Sequence, residues 1–234
     1  MYDRTARPYS ATLQGSVMDF MCKVYGWMAA ALAITAGVAY YVSTQPKIYM
    51  TILTKPFLLI GLIVAQLALV IGISFFINRL SYGVALVLFF VYAATLGLTL
   101  SAIFVAYSMG SIVTTFAVTA GMFGVMAIYG YVTGSDLTSM GNISIMILWG
   151  IILAMLVNMY FKNPTVELIL SIVGVIVFAL LTAYDSQKIK MMGQQLLGDK
   201  EMSDKASVLG ALTLYLDFIN LFLFLLRFMG RRNE

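Results

Sequence analysis

The chain has 234 residues, 62% of them hydrophobic and 10% charged, with a formal net charge of +4. This is more apolar surface than a soluble core of that size can hide, so the composition is that of an integral membrane protein, with room for seven spans of about 20 residues and none for a separate soluble catalytic domain. With no histidine and the lone Cys22, the sequence excludes His-based catalysis, His-ligated metal or haem and an internal disulfide, and its 14 Lys and Arg sit at span ends rather than in the basic stripe of a nucleic-acid-binding protein.

Residues 1–23 read as a polar N-terminal tail (Arg4, Arg7, Ser10, Gln14, Asp19, Lys23) without the apolar stretch of a cleavable signal. The first span is therefore expected to act as an uncleaved insertion signal. A single seven-helix membrane domain is expected over 24–230, followed by a short basic tail, 231–234. The first span runs from about Val24 to Val42 and closes at Ser43-Thr-Gln-Pro-Lys47; the second follows Pro56, from Phe57 to Ile77. The third runs from Tyr82 to about Ala106, and the short Ser108-Met-Gly-Ser111 link forces an antiparallel hairpin with the fourth, Ile112 to Tyr131. A turn-rich loop from Thr133 to Asn142 precedes the fifth, Ile143 to Tyr160, and Lys162-Asn-Pro164 breaks the chain again, since Pro suits a helix start and not its interior. The sixth runs from about Val166 to Tyr184, with room to continue through Lys190, and the seventh fills Val208 to Leu226.

Between the last two spans, Lys188 to Lys205 is expected to be the one sizeable charged loop, on the cytoplasmic side. An N-inside orientation then places Arg4, Arg7, Lys23, Arg79, Lys188, Lys190, Lys200 and Lys205 inside, against Lys47, Lys55, Lys162, Arg227, Arg231 and Arg232 outside. That slight excess favours a cytoplasmic N-terminus and a C-terminus outside.

Asp217 lies within the apolar seventh span. An Asp at the centre of a membrane helix costs roughly 2.5–3.5 kcal/mol on insertion scales, so it faces a protein interior or a wet cavity and has a partner. Helical spacing lines Gly210, Thr213 and Asn220 up with Asp217 on one narrow polar stripe, expected to face the bundle, while Leu212, Leu216, Phe218 and Leu223 point elsewhere. The best partner is Asp185, at the end of the sixth span. Asp217 lies about nine residues, or roughly 13 Å, into the returning span, and the two depths coincide if the sixth helix continues past Asp185 towards Ile189.

Two carboxyl groups a few Å apart in a low-dielectric site cannot both ionise cheaply, so the pair tends to keep one proton and titrates as a unit. Deprotonated, the same oxygens suit a hard cation, with Tyr184, Thr213, Asn220, carbonyls and waters available to complete the oxygen shell that Ca²⁺ prefers. Two carboxylates make a weak site, as a leak or transport path requires, since an ion held tightly does not leave. Nothing resembles a phosphate-binding loop or an ATP site, and no tightly bound cofactor is expected.

The segments Ala183-Tyr-Asp-Ser-Gln-Lys-Ile189 and Leu214-Tyr-Leu-Asp-Phe-Ile-Asn-Leu-Phe222, with Leu225-Leu-Arg227 after them, closely resemble the last two spans of the transmembrane Bax inhibitor-motif family, in particular its bacterial members. The likeness extends over essentially the whole chain, including Gly121-Met-Phe-Gly124, Thr133 to Leu137 and Gly141-Asn142. It implies an all-α integral membrane protein with seven transmembrane helices, six around a central C-terminal helix, placed in a bacterial inner membrane. It further implies a pH-sensitive passive Ca²⁺ leak, with Asp185 and Asp217 as proton and ion gate and Arg227 as an ion-pair or latch residue. Bacterial relatives can carry an Arg near the end of the second span that pairs with the gate aspartate; here Arg79 is slightly displaced. The second span offers Arg227 no acidic partner, its nearest polar residue being Gln66.

Two other function classes compete. Intramembrane aspartyl proteases also carry two Asp on neighbouring spans, one in a Tyr-Asp pair that Tyr184-Asp185 matches, but Asp217 stands in Tyr-Leu-Asp-Phe rather than Gly-x-Gly-Asp and no Pro-Ala-Leu follows. A helical adaptor acting on partner membrane proteins through lipid-facing helices is the third. Plainer roles cover the remaining signals. Thr95, Gly97, Thr99 and Ser101 in the third span, and Gly121 and Gly124 in the fourth, read as close helix packing. Asn158 reads as an interhelical hydrogen-bonding residue, Asp136 and Glu167 as solvated interfacial acids, and the span-end tyrosines as interfacial anchors.

Overall fold

A computed structural model describes residues 6–196, 198–231 and 233. Eight helices are found among them: α1 (Ala6–Ser43), α2 (Pro46–Thr54), α3 (Pro56–Phe76), α4 (Tyr82–Ala106), α5 (Met109–Val132), α6 (Thr138–Phe161), α7 (Pro164–Gln195) and α8 (Lys200–Met229). Seven are long and apolar enough to cross a bilayer. The chain is an all-α membrane protein with seven spans. Prolines open three helices, at Pro46, Pro56 and Pro164, where the missing N–H is one that no helical carbonyl would have taken.

Three boundaries differ from expectation. α1 is already helical from Ala6, so most of the segment read as a tail is continuous with the first span; Pro8 falls in the first turn, where it is tolerated. The nine-residue α2 was not anticipated, because a helix this short carries no span-length apolar run. The charged loop expected over 188–205 is replaced by helix, leaving 196–199 as the link between α7 and α8. Lys188 to Gln195 contains no proline and Gly193 stays helical, and the turn falls at Gly198, whose φ of 101° is a left-handed conformation that glycine adopts cheaply.

The chain forms two compact units, Met1–Ala102 with Ile189–Tyr215, and Ile103–Lys188 with Leu216–Glu234. In the first, Tyr215 of α8 is fully buried, with the rings of Phe89 and Tyr92 edge-on at 5.6 and 5.8 Å. Its hydroxyl pairs with Thr35 Oγ1 at 2.6 Å, and Thr35 in turn reaches the Ala93 carbonyl at 2.9 Å. α4 approaches α1 closely at Gly97, where a Cβ would lie 2.8 Å from the Thr35 carbonyl, so the packing role expected of this glycine holds. Gln66 satisfies its amide on the Thr95 carbonyl and the Thr99 hydroxyl.

In the second unit, Phe218 packs between Phe116 and Phe123, and Phe224 stacks on Phe178. The end of the chain is fastened to the α4–α5 link: Ser108 N–H donates to the Arg231 carbonyl, and Asn233 N–H to that of Ala106. Asn158 closes the α6–α7 turn rather than bridging helices, accepting from Asn163 N–H at 3.0 Å and donating to its carbonyl. It sits one turn from the end of α6, where free backbone groups of the turn are nearer than any neighbouring helix.

α8 is the most buried span, 72% of its apolar window against 11–44% for the others. This corrects the stripe reading. Leu212 and Phe218, expected to point away from the interior, are 1% and 3% exposed, while Thr213 and Asn220 are half-buried and bond to carbonyls of their own helix. A helix apolar all round is buried all round.

α7 is held against α5 and α6 by glycines that sequence reading did not single out for contact. A Cβ on Gly130 would run into the Ala183 backbone, and one on Gly141 would enter the Tyr184 ring. By contrast, a Cβ on Gly121 or Gly124 would meet nothing within 4 Å among the described residues, so neither marks a close approach there. Gly130→Ala is expected to cost about 1–3 kcal/mol through overpacking, and Gly121→Ala to be neutral or slightly stabilising. Thermal unfolding in detergent checks this; equal effects of the two substitutions would contradict the packing assignment.

Candidate functional site

The length of α7 decides where Asp185 goes. Because the helix runs unbroken to Gln195, Asp185 stands on a regular helix well before the turn, with α8 returning beside it. Asp217 stands mid-way along α8, 5% exposed. The two carboxyl groups lie within reach of one another. An ionised carboxylate only accepts, so a bond between two carboxyl groups exists only while one of them carries a proton.

The members differ in their surroundings. Asp185 keeps partial exposure, and Lys188, one helical turn on, is the cation acting on it. Asp217 is sealed, and its Oδ2 is buried without a hydrogen-bond partner among the described residues. The pair thus has an accessible end and a closed end, with one oxygen left for a proton or a cation. Among the described residues no group of three or more His, Cys, Asp and Glu side chains gathers. A cation held here would draw on two carboxylates and neutral oxygens.

Gln187 fixes this end of α7. Its Oε1 accepts from Leu137 N–H at 2.9 Å and its Nε2 donates to the Ser135 carbonyl at 2.7 Å, pinning the α5–α6 loop two residues beyond Asp185. The same loop carries Asp136, exposed as expected, whose carboxylate accepts from the backbone N–H and hydroxyl of Thr138. Those bonds lower its pKa, so the stabilisation they give is present above the ordinary Asp range and lost as pH falls through the lowered value.

The remaining expected site residues are dispersed. Tyr184 points its ring at Gly141 and under the Lys188 ammonium, 5.8 Å from the ring centre. Thr213 and Asn220 bond within α8. Arg79 lies exposed in the first unit, its guanidinium 6.0 Å from the Phe76 ring, whereas the charged groups acting on Asp185 are Lys188 and Asp217. Arg227 does find an acid, from the sixth span rather than the second: Glu167 Oε1 lies 3.8 Å from its Nε. Glu167 is therefore not merely solvated. Lys188 and Gln187 were missed in the sequence; the three-residue spacing from Asp185 could have found the first, and nothing local announces the second.

Comparison with known proteins agrees with this fold. A family model described as inhibitor of apoptosis-promoting Bax1 matches residues 17–234. The chain is 51% identical over 221 residues to the inner membrane protein YbhL of Escherichia coli K12, covering 94% of each. It is 47% identical over 215 residues to a Borreliella burgdorferi protein, 92% of this chain and 93% of that one. With the Rickettsia prowazekii protein RP147 it shares 39% over 232 residues, 98% and 97%. The chain belongs to the Bax inhibitor-1-like family of membrane proteins, among its bacterial members.

Proposed function

We propose that the chain is a pH-sensitive passive Ca²⁺ leak whose gate is the pair Asp185 and Asp217. The observation that carries this reading is the close approach of two acidic side chains on consecutive spans, with Asp217 Oδ2 unpartnered among the described residues. A shared proton ties α7 to α8; its loss turns the bond into repulsion between like charges and frees oxygens for a hard cation. Protons and Ca²⁺ then compete for the same atoms, so Ca²⁺ binding weakens as pH falls. The modest acidic complement keeps the site weak enough to release its ion. Partial exposure of Asp185 makes it the group through which protons reach Asp217.

Ca²⁺ flux and binding in proteoliposomes across a pH series test this. The wild type is expected to show pH-dependent flux and weaker Ca²⁺ binding in acid. Asp185→Asn and Asp217→Asn should each flatten the pH profile, and Asp185→Glu, which keeps a titratable group, should retain it. An unchanged profile in both Asn variants would reject the gate. Cleavage of a membrane-helix substrate by the same vesicles, lost in either variant, would instead assign the acids to proteolysis, and absence of both activities would leave the adaptor role.

We also propose a cytoplasmic N-terminus and an external C-terminus in a bacterial inner membrane. An odd number of spans would put the termini on opposite sides, and the excess of cations on the proposed inner segments supports this direction. Alkaline phosphatase fused after Glu234 should be active and a fluorescent protein at the same point dark; the reverse pattern would invert the topology.

A further inference from the structure

A cavity of about 630 Å³ opens between α6 and α7 in the second unit and reaches Arg227 near the end of α8. One wall is apolar: Leu156 and Met159 of α6 and Leu170 of α7. Leu156 and Met159 are 57% and 72% exposed, so this wall is continuous with the surface that α6 turns to the bilayer. The other end is charged, with Lys162, Glu167 and Arg227. It lies where α6 stops at Phe161 and α7 starts at Pro164, the level at which a span ends and the headgroup region begins.

The charges do not cancel. Two cations face one carboxylate, and Arg227 Nε lies 3.8 Å from Glu167 Oε1, a long contact. Its guanidinium is a planar fork whose remaining N–H groups suit a phosphate held bidentately. Lys162 adds a mobile ammonium at the rim, on an exposed turn. An apolar trough open to lipid and capped by an Arg and a Lys at headgroup depth complements one kind of molecule, an amphiphile with an anionic head.

We infer that this cavity is a binding site for an anionic phospholipid of the surrounding bilayer. The phosphate lies against Arg227 and Lys162, and an acyl chain lies along Leu156, Met159 and Leu170. The site is separate from the aspartate pair and does not depend on the chain being a Ca²⁺ pathway.

Native mass spectrometry of protein released from vesicles of equal phosphatidylglycerol and phosphatidylcholine tests it without reference to flux. The wild type should retain phosphatidylglycerol in preference, about one molecule per chain. Lys162→Gln should reduce that preference by about five-fold, the worth of one basic residue at a lipid surface, and Arg227→Gln by at least as much, with Arg227→Lys intermediate. Lys47→Gln, a cation at the start of α2, should leave it unchanged. Lys162 sits on an exposed turn, so its variant keeps the test open even where Arg227→Gln does not fold. Equal retention of the two lipids by the wild type, or a preference untouched by Lys162→Gln and by Arg227→Gln, would overturn the site. Displacement of the lipid by millimolar inorganic phosphate would also overturn it, reassigning the cavity to a soluble anion.

Discussion

Asp217 sets the terms for the rest of the molecule. An acidic side chain in a helix that is buried on every side cannot be left as an isolated charge, because removing an ion from water costs several kcal/mol that only a partner or a proton offsets. Asp185 is the acid that α7 brings near it. For Asp185 to reach that depth, α7 has to stay helical past it, and the link to α8 has to be short. Both conditions are met, by an unbroken run to Gln195 and a four-residue connection turning at Gly198.

The immediate supports of α7 follow from the same need. The segment from Ala183 to Gln187 is contacted from two helices and a loop: Gly130 admits the Ala183 backbone, Gly141 admits the Tyr184 ring, and Gln187 clamps the loop before α6. Each contact restricts how far this stretch of α7 can shift. In the proposed gate, such a frame would convert the gain or loss of one proton into a definite change in the force between α7 and α8, since a hydrogen bond between carboxyl groups is short-range and direction-dependent. Nearer the start of α8, the fully buried Tyr215 ring and its bond to Thr35 hold the helix within the first unit.

Much of this was legible in the residues. Long apolar runs punctuated by Pro and Gly gave the seven spans, and the cost of Asp217 in such a run pointed to Asp185. The charged stretch from Lys188 to Lys205 misled, since polarity marks a loop only when nothing keeps the helix going, and here no proline intervenes and Gly193 stays within α7. The polar stripe on α8 misled for a different reason. Amphipathic reasoning assumes one face meets lipid, and α8 meets lipid on no face along most of its length. Gly121 and Gly124 against Gly130 and Gly141 show a third limit: a glycine reveals that a neighbour could come close, and only the neighbour's path reveals that it does. The Arg227 and Glu167 contact and the Gln187 clamp join residues 60 and about 50 positions apart, beyond the reach of any local pattern.

The central claim is that one proton is held between Asp185 and Asp217 inside the membrane. Infrared spectroscopy of the protein in lipid bilayers measures it most directly, through the carbonyl stretch of protonated carboxyl groups. The account predicts a buried, protonated carboxyl band at neutral pH that disappears, or shifts as a single unpaired group, in both Asp185→Asn and Asp217→Asn. A spectrum with no such band at neutral pH, or one unaltered by either substitution, would contradict it.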